Sequence, residues 1–194
     1  MNAIETAYIN ALLADASYVS LPLGVTSSQL ATALAPRMTP SQAKFIAANF
    51  EVVNSVETPG GFNGSTGFDA TVWRGKAGSD YAGQVYVSTR GTQGGQDILD
   101  DISLAFRGLP HQQIADMVNW WLKNTASPSV TNVKQIKVKT ITDPITGLST
   151  FAYTFELDAP TAGTGLISGI STITSVNGHS LGSTGSGLNT VHLT

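Results

Sequence analysis

An α/β fold is the class this sequence predicts, and three observations predict it. Segments of helical periodicity are interspersed with short runs rich in Val and Thr. One run, Gln84-Val85-Tyr86-Val87-Ser88, has the β-branched and aromatic content of a central strand. A second, Ile173-Thr174-Ser175-Val176, leads into Gly178-His179-Ser180-Leu181-Gly182, which has the G-x-S-x-G spacing of a strained turn that holds a serine hydroxyl above a sheet. The expectation is an incomplete sheet flanked by helices, with a β-hairpin inserted between the two runs.

From the N-terminus, Ile4, Tyr8, Ala11 and Leu12 recur at helical spacing and predict an amphipathic helix over 4–14 with those residues inward. A second helix is expected over 28–35. The third has the clearest start signal. Thr39 accepts from the backbone at the third helical position, Gln42 reaches back, and Pro40 stands where its missing N–H costs nothing. That helix should run to Phe50 and bury Ala43, Ile46, Ala47 and Phe50.

The Val-rich stretch 51–58 reads as a strand closed by Pro59-Gly60-Gly61 and a loose passage to Gly67. A second strand is expected over 68–74, and the third, 84–88, ends in Thr89-Arg90-Gly91-Thr92. A Gly-rich loop over 93–96 precedes a helix opened by Asp97 and ended by Gly108 and Pro110. The strongest periodicity follows over 111–124, where Ile114, Met117, Val118, Trp121 and Leu122 form an apolar face and Trp120 with Trp121 reads as core packing. Alternation over 133–141 and 150–157, joined by Asp143-Pro144-Ile145-Thr146-Gly147, predicts a hairpin whose Lys137 and Lys139 face water and whose Phe151, Tyr153, Phe155 and Leu157 share one face. The Pro/Gly/Thr passage 159–169 leaves room for a short helix over 166–170. After the G-x-S-x-G turn, residues 183–187 have linker-like Gly/Ser composition, and 188–194 read as a last short strand.

Composition narrows the partners. The 194 residues favour one domain with a single core. Only 12% of them are charged, against roughly 25% in an average domain, and the net charge is −3 with the ten Lys and Arg scattered, so a polyanion-binding footprint is missing and nucleic acid is not an expected partner. The absence of cysteine excludes disulfides, thiolate metal sites and a cysteine nucleophile. No run of about 18 apolar residues is present for a membrane span. Nor is a cleaved secretory signal visible, since Glu5 precedes any basic residue. Secretion without a cleaved signal and a cytoplasmic location both remain open.

An acyl-transfer site needs a nucleophile, a base, an acid to orient it, and donors aimed at the developing oxyanion. Ser180 is the nucleophile candidate, with Gly178 and Gly182 at positions where a side chain would crowd the turn. The strand followed by Arg90-Gly91-Thr92 and then by a helix carrying Asp97 and Asp101 is placed as an oxyanion loop would be. Together, the stretches Val85 to Asp101, VYVSTRGTQGGQDILDD, and Val176 to Gly182, VNGHSLG, resemble the class 3 lipases, serine hydrolases of the α/β-hydrolase fold that cleave lipid or phospholipid esters. The two stretches together span about an eighth of the chain. The resemblance implies an oxyanion hydroxyl and N–H at Thr92, a second oxyanion N–H at Leu181, and a His at position 179 that is not the base. It implies no cofactor and no metal.

The sequence also departs from that family. The order Ser, Asp, His places both partners after the serine, yet no Asp or Glu follows Ser180, and His192 is poorly placed for a base. Residues 183–187 have low helix propensity where the family has a long helix. The expectation is therefore a truncated N-terminal portion of a hydrolase, a single domain over 1–194 with weak or no turnover by itself, completed by a C-terminal segment or by self-association. A degenerate hydrolase scaffold acting in binding or assembly is the alternative. His111 reads as a solvated helix-terminal residue. Asp97, Asp100 and Asp101 do not read as metal ligands; Asp97 reads as a helix cap and Asp101 as a brace of the oxyanion loop.

Overall fold

The computed structural model describes residues 2–57, 68–90, 111–147, 149–167, 169–170 and 172–178. They form two compact units. One contains residues 2–57, 68–90 and 170–178, and the other residues 111–169. Helices and a sheet make up the first, as an α/β class requires.

The first unit opens with α1 (Ala3–Ala16), α2 (Ser27–Leu34) and α3 (Pro40–Asn49), followed by β1 (Phe50–Val56), β2 (Ala70–Gly75) and β3 (Val85–Thr89). Local chemistry fixes the helix starts. Thr39 closes a reciprocal capping box with Gln42 and has Pro40 behind it, as the sequence predicts, and Thr26 and Gln29 repeat the device at α2. Ala43, Ile46 and Ala47 are buried as expected, while Phe50 is buried as the first residue of β1 rather than the last of α3.

The inward face of α1 differs from the predicted one. Ile9, Leu12, Leu13 and Ala16, at the spacing of one helix stripe, enter the core, whereas Ile4 is 84% exposed and Tyr8 50% exposed. Apolar residues surround this helix, so its own periodicity does not select a face. Packing does, through Leu30, Leu34, Ile46, Phe50, Trp73 and Tyr86.

Among the described residues the sheet has the order β1-β2-β3-β6, where β6 is Ser175–Gly178. The first two pairings are antiparallel and the last is parallel. Trp73 and Tyr86 stand opposite each other on the helix-covered face. Phe50 meets Tyr86 edge-on at 5.6 Å and Tyr81 at 4.9 Å. Burial, then the neighbouring Tyr81 and Glu5, push the Tyr86 phenol up to about 12.

The second unit holds α4 (His111–Thr125), β4 (Val133–Thr142) and β5 (Ser149–Thr161), the last two paired as the expected antiparallel hairpin. Its turn is fixed by the Asp143 carboxylate, which accepts from Ile145 N at 2.7 Å and Thr146 N at 3.0 Å. Those donors hold its pKa below the usual carboxylate range, and Gly147 supplies the left-handed residue (φ 70°). Lys139 and Lys137 face water and flank Glu156, whose carboxyl is lowered chiefly by Lys139 Nζ at 3.1 Å.

Two expectations for this unit are corrected. Ile114, Met117, Val118 and Trp121 are only half-buried and Leu122 is exposed, whereas Ala115 and Asn124 are buried. Small and polar contacts anchor this helix: Asn119 Nδ2 donates to Ile136 O at 2.7 Å, and Asn119 Oδ1 accepts from Ile136 N at 2.8 Å. One side-chain amide thus pairs the strand-edge backbone of β4 as a neighbouring strand would. The second correction is that Leu166, Ile167 and Gly169, inside the expected helix 166–170, form turns, not a helix. Thr164 N, Ile167 N and Gly165 N donate to Lys123 O, Asn124 O and Ala126 O, so this passage satisfies the end of α4 instead of its own helical ladder. The predicted helix over 97–106, the linker-like 183–187 and the strand 188–194 lie outside the described residues.

Candidate functional site

The described part of the candidate site is the carboxyl end of β3 and β6. These strands are far apart in sequence and adjacent in the sheet, in the parallel register Tyr86↔Ser175, Val87↔Val176, Ser88↔Asn177 and Thr89↔Gly178. At their amino ends Thr174 N donates to Val85 O at 2.7 Å, and Val85 N donates to Thr174 Oγ1 at 3.0 Å, which locks the register before the first ladder pair. At their carboxyl ends Thr89 meets Gly178. A Cβ on Gly178 would overlap Thr89 Oγ1 and lie 3.0 Å from Thr89 O, so only glycine fits there. This is the crowding expected of the first glycine in G-x-S-x-G.

Behind β6, on the helix-covered face, Asn177 Nδ2 donates to Asn10 Oδ1 of α1 at 3.2 Å, with both side chains buried. The pair ties the residue before Gly178 to α1. Among the described residues its remaining polar atoms, Asn10 Nδ2 and Asn177 Oδ1, have no hydrogen-bond partner, and neither do Ser88 Oγ and Ser175 Oγ.

Beyond β3 a row of charges crosses the sheet. Extending the registers Val56↔Ala70 and Ala70↔Thr89 by one residue places Glu57 opposite Asp69 and Asp69 opposite Arg90. The backbone keeps that order, since Arg90 N donates to Asp69 O at 2.9 Å. Arg90 Nη2 pairs with Glu57 Oε1 at 2.5 Å, and Nη1 reaches Tyr18 O, just past α1, at 3.5 Å. Arg90 Nε lies 3.5 Å from Asp69 Oδ2 without hydrogen-bond geometry, so that contact is a charge–charge one. The Arg90 side chain is 9% exposed, Asp69 8% and Glu57 40%. Sequence reading missed this row because it depends on register. With the strands paired, two carboxylates and one guanidinium at the three ends are the signal that finds it.

No family model, curated protein or solved structure matches this chain.

The residues named for chemistry, Ser180, Thr92 and Leu181, lie outside the described residues, as do His179, His192, Asp97, Asp100 and Asp101. His111 is described, and it is not simply solvated. Its ring stacks on Tyr153 at 4.9 Å, and its buried Nδ1 has no hydrogen-bond partner among the described residues. Among the described residues no group of three or more His, Cys, Asp or Glu could hold a metal, and no helix is long and apolar enough to cross a membrane.

Proposed function

We propose that this protein is a serine ester hydrolase of the lipase or phospholipase type, built on an α/β-hydrolase-like sheet. Ser180 attacks the carbonyl carbon of a lipid or other ester, the alcohol departs, and water then cleaves the acyl-Ser180 bond. The Thr92 hydroxyl and N–H and the Leu181 N–H stabilise the oxyanion of each tetrahedral intermediate. This chemistry calls for no metal or cofactor.

One observation carries the reading: the parallel register Thr89↔Gly178. The sequence that resembles an oxyanion loop and the sequence that resembles a nucleophile elbow continue from neighbouring strands at one carboxyl end, the end at which open α/β sheets take their ligands. The space at Gly178, too small for a Cβ, adds support of a different kind.

Hydrolysis of short-chain nitrophenyl esters tests the proposal. Turnover by the 194-residue chain is expected to be weak. It should still exceed that of Ser180→Ala, and Thr92→Val should lower it by about 100- to 1,000-fold if Thr92 is an oxyanion donor. Equal rates for wild type and Ser180→Ala would leave the non-catalytic scaffold as the better reading.

A further inference from the structure

The structure assigns Arg90 a positioning role: it fixes the carboxyl end of β3, the strand that leads in sequence to Thr92, by gathering the ends of β1, β2 and α1 around one guanidinium. This inference rests on the serine hydrolase reading above.

Three features set Arg90 apart from an ordinary surface ion pair. Its side chain is 9% exposed, so its charge is screened less by water than the half-exposed pairs Arg37 with Asp15 or Arg74 with Glu51. Its partners belong to three separate elements, Glu57 after β1, Asp69 before β2 and the Tyr18 carbonyl after α1. Its own backbone N–H is held by Asp69 O, so main chain and side chain are fixed together.

A guanidinium suits this task better than an ammonium. Its planar fork presents several donors in fixed directions at once, whereas a lysine supplies one point charge on a flexible stem. Thr92 lies two positions after Arg90 in sequence. An oxyanion donor displaced by a fraction of an ångström loses effect in the transition state while ground-state binding, which depends on other contacts, is largely kept.

The test is the kinetics of Ser180 modification by an alkyl fluorophosphonate, resolved into the rate constant at saturation and the half-saturating concentration. Arg90→Lys keeps a charge but not the fork. Glu57→Gln, at a 40% exposed partner, gives the same test should the lysine variant not fold. We expect Arg90→Lys to lower the saturating rate about tenfold and Glu57→Gln about threefold, each with the half-saturating concentration within twofold of wild type and a native circular-dichroism spectrum. An unchanged saturating rate in a folded variant would overturn the role of Arg90. So would a fall explained entirely by weaker probe binding. A wild-type chain whose Ser180 takes no label would overturn the hydrolase reading itself, and Arg90's role with it, and is told apart by the missing wild-type signal.

Discussion

Replacing Gly178 by alanine probes the joint between β3 and β6. The added Cβ would collide with Thr89 Oγ1 and stand 3.0 Å from Thr89 O and 3.6 Å from Thr89 Cβ. Thr89 is β-branched and pinned in a strand between β2 and β6, so its hydroxyl cannot swing away freely. Overpacking of this kind costs about 1–3 kcal/mol. For a chain of 150 to 250 residues each kcal/mol shifts the melting temperature by about 2–4 °C, so Gly178→Ala should melt roughly 2–12 °C below wild type. The second mutation gives the sharper result. Thr89→Ala removes Oγ1 and leaves only the 3.0 Å approach to a backbone oxygen, which a small shift relieves. The double variant Gly178→Ala/Thr89→Ala should therefore melt above Gly178→Ala alone, a favourable coupling of about 1 kcal/mol. Differential scanning calorimetry on the four proteins reads it directly. Strictly additive effects, or a Gly178→Ala protein that melts with wild type, would refute the Thr89↔Gly178 register.

Three other outcomes are expected. Asn10→Ala and Asn177→Ala should each destabilise by about 1–3 kcal/mol because each strands a buried amide, while the double variant should cost less than their sum in urea titrations. Asn119→Leu removes both partners of the Ile136 backbone and should lower stability by about 1–3 kcal/mol, with faster amide exchange at Ile136 as its local signature. For Tyr86 the folded pKa is raised above the unfolded value of 10.0, so its contribution to stability is complete below pH 10 and is lost as pH rises toward about 12. The stability difference between wild type and Tyr86→Phe should change with pH across that window and stay flat between pH 7 and 9.

What the sequence revealed divides along local and non-local lines. The α3 start was legible because Thr39, Pro40 and Gln42 are neighbours whose capping chemistry needs nothing else. The hairpin was legible because alternation and an Asp143 turn are equally local. The inward face of α1 was not, because Ile4, Tyr8, Ile9, Leu12 and Leu13 surround the helix and tertiary contacts choose among them. The turns after β5 were misread because their N–H groups serve Lys123, Asn124 and Ala126, carbonyls about 40 residues upstream. For the candidate site, the motifs themselves were visible in the sequence. The pairing that brings Thr89 beside Gly178, and the Glu57, Asp69 and Arg90 row, required the register of four strands drawn from both ends of the chain.

The proposed activity requires that the fold, by joining β3 to β6, make Ser180 a nucleophile. Peptide mapping after fluorophosphonate treatment of native and urea-unfolded protein tests it most directly. One adduct per native chain is expected, on the peptide containing Ser180, and none after unfolding. Absence of the adduct from native protein, or equal modification of both states, would contradict it.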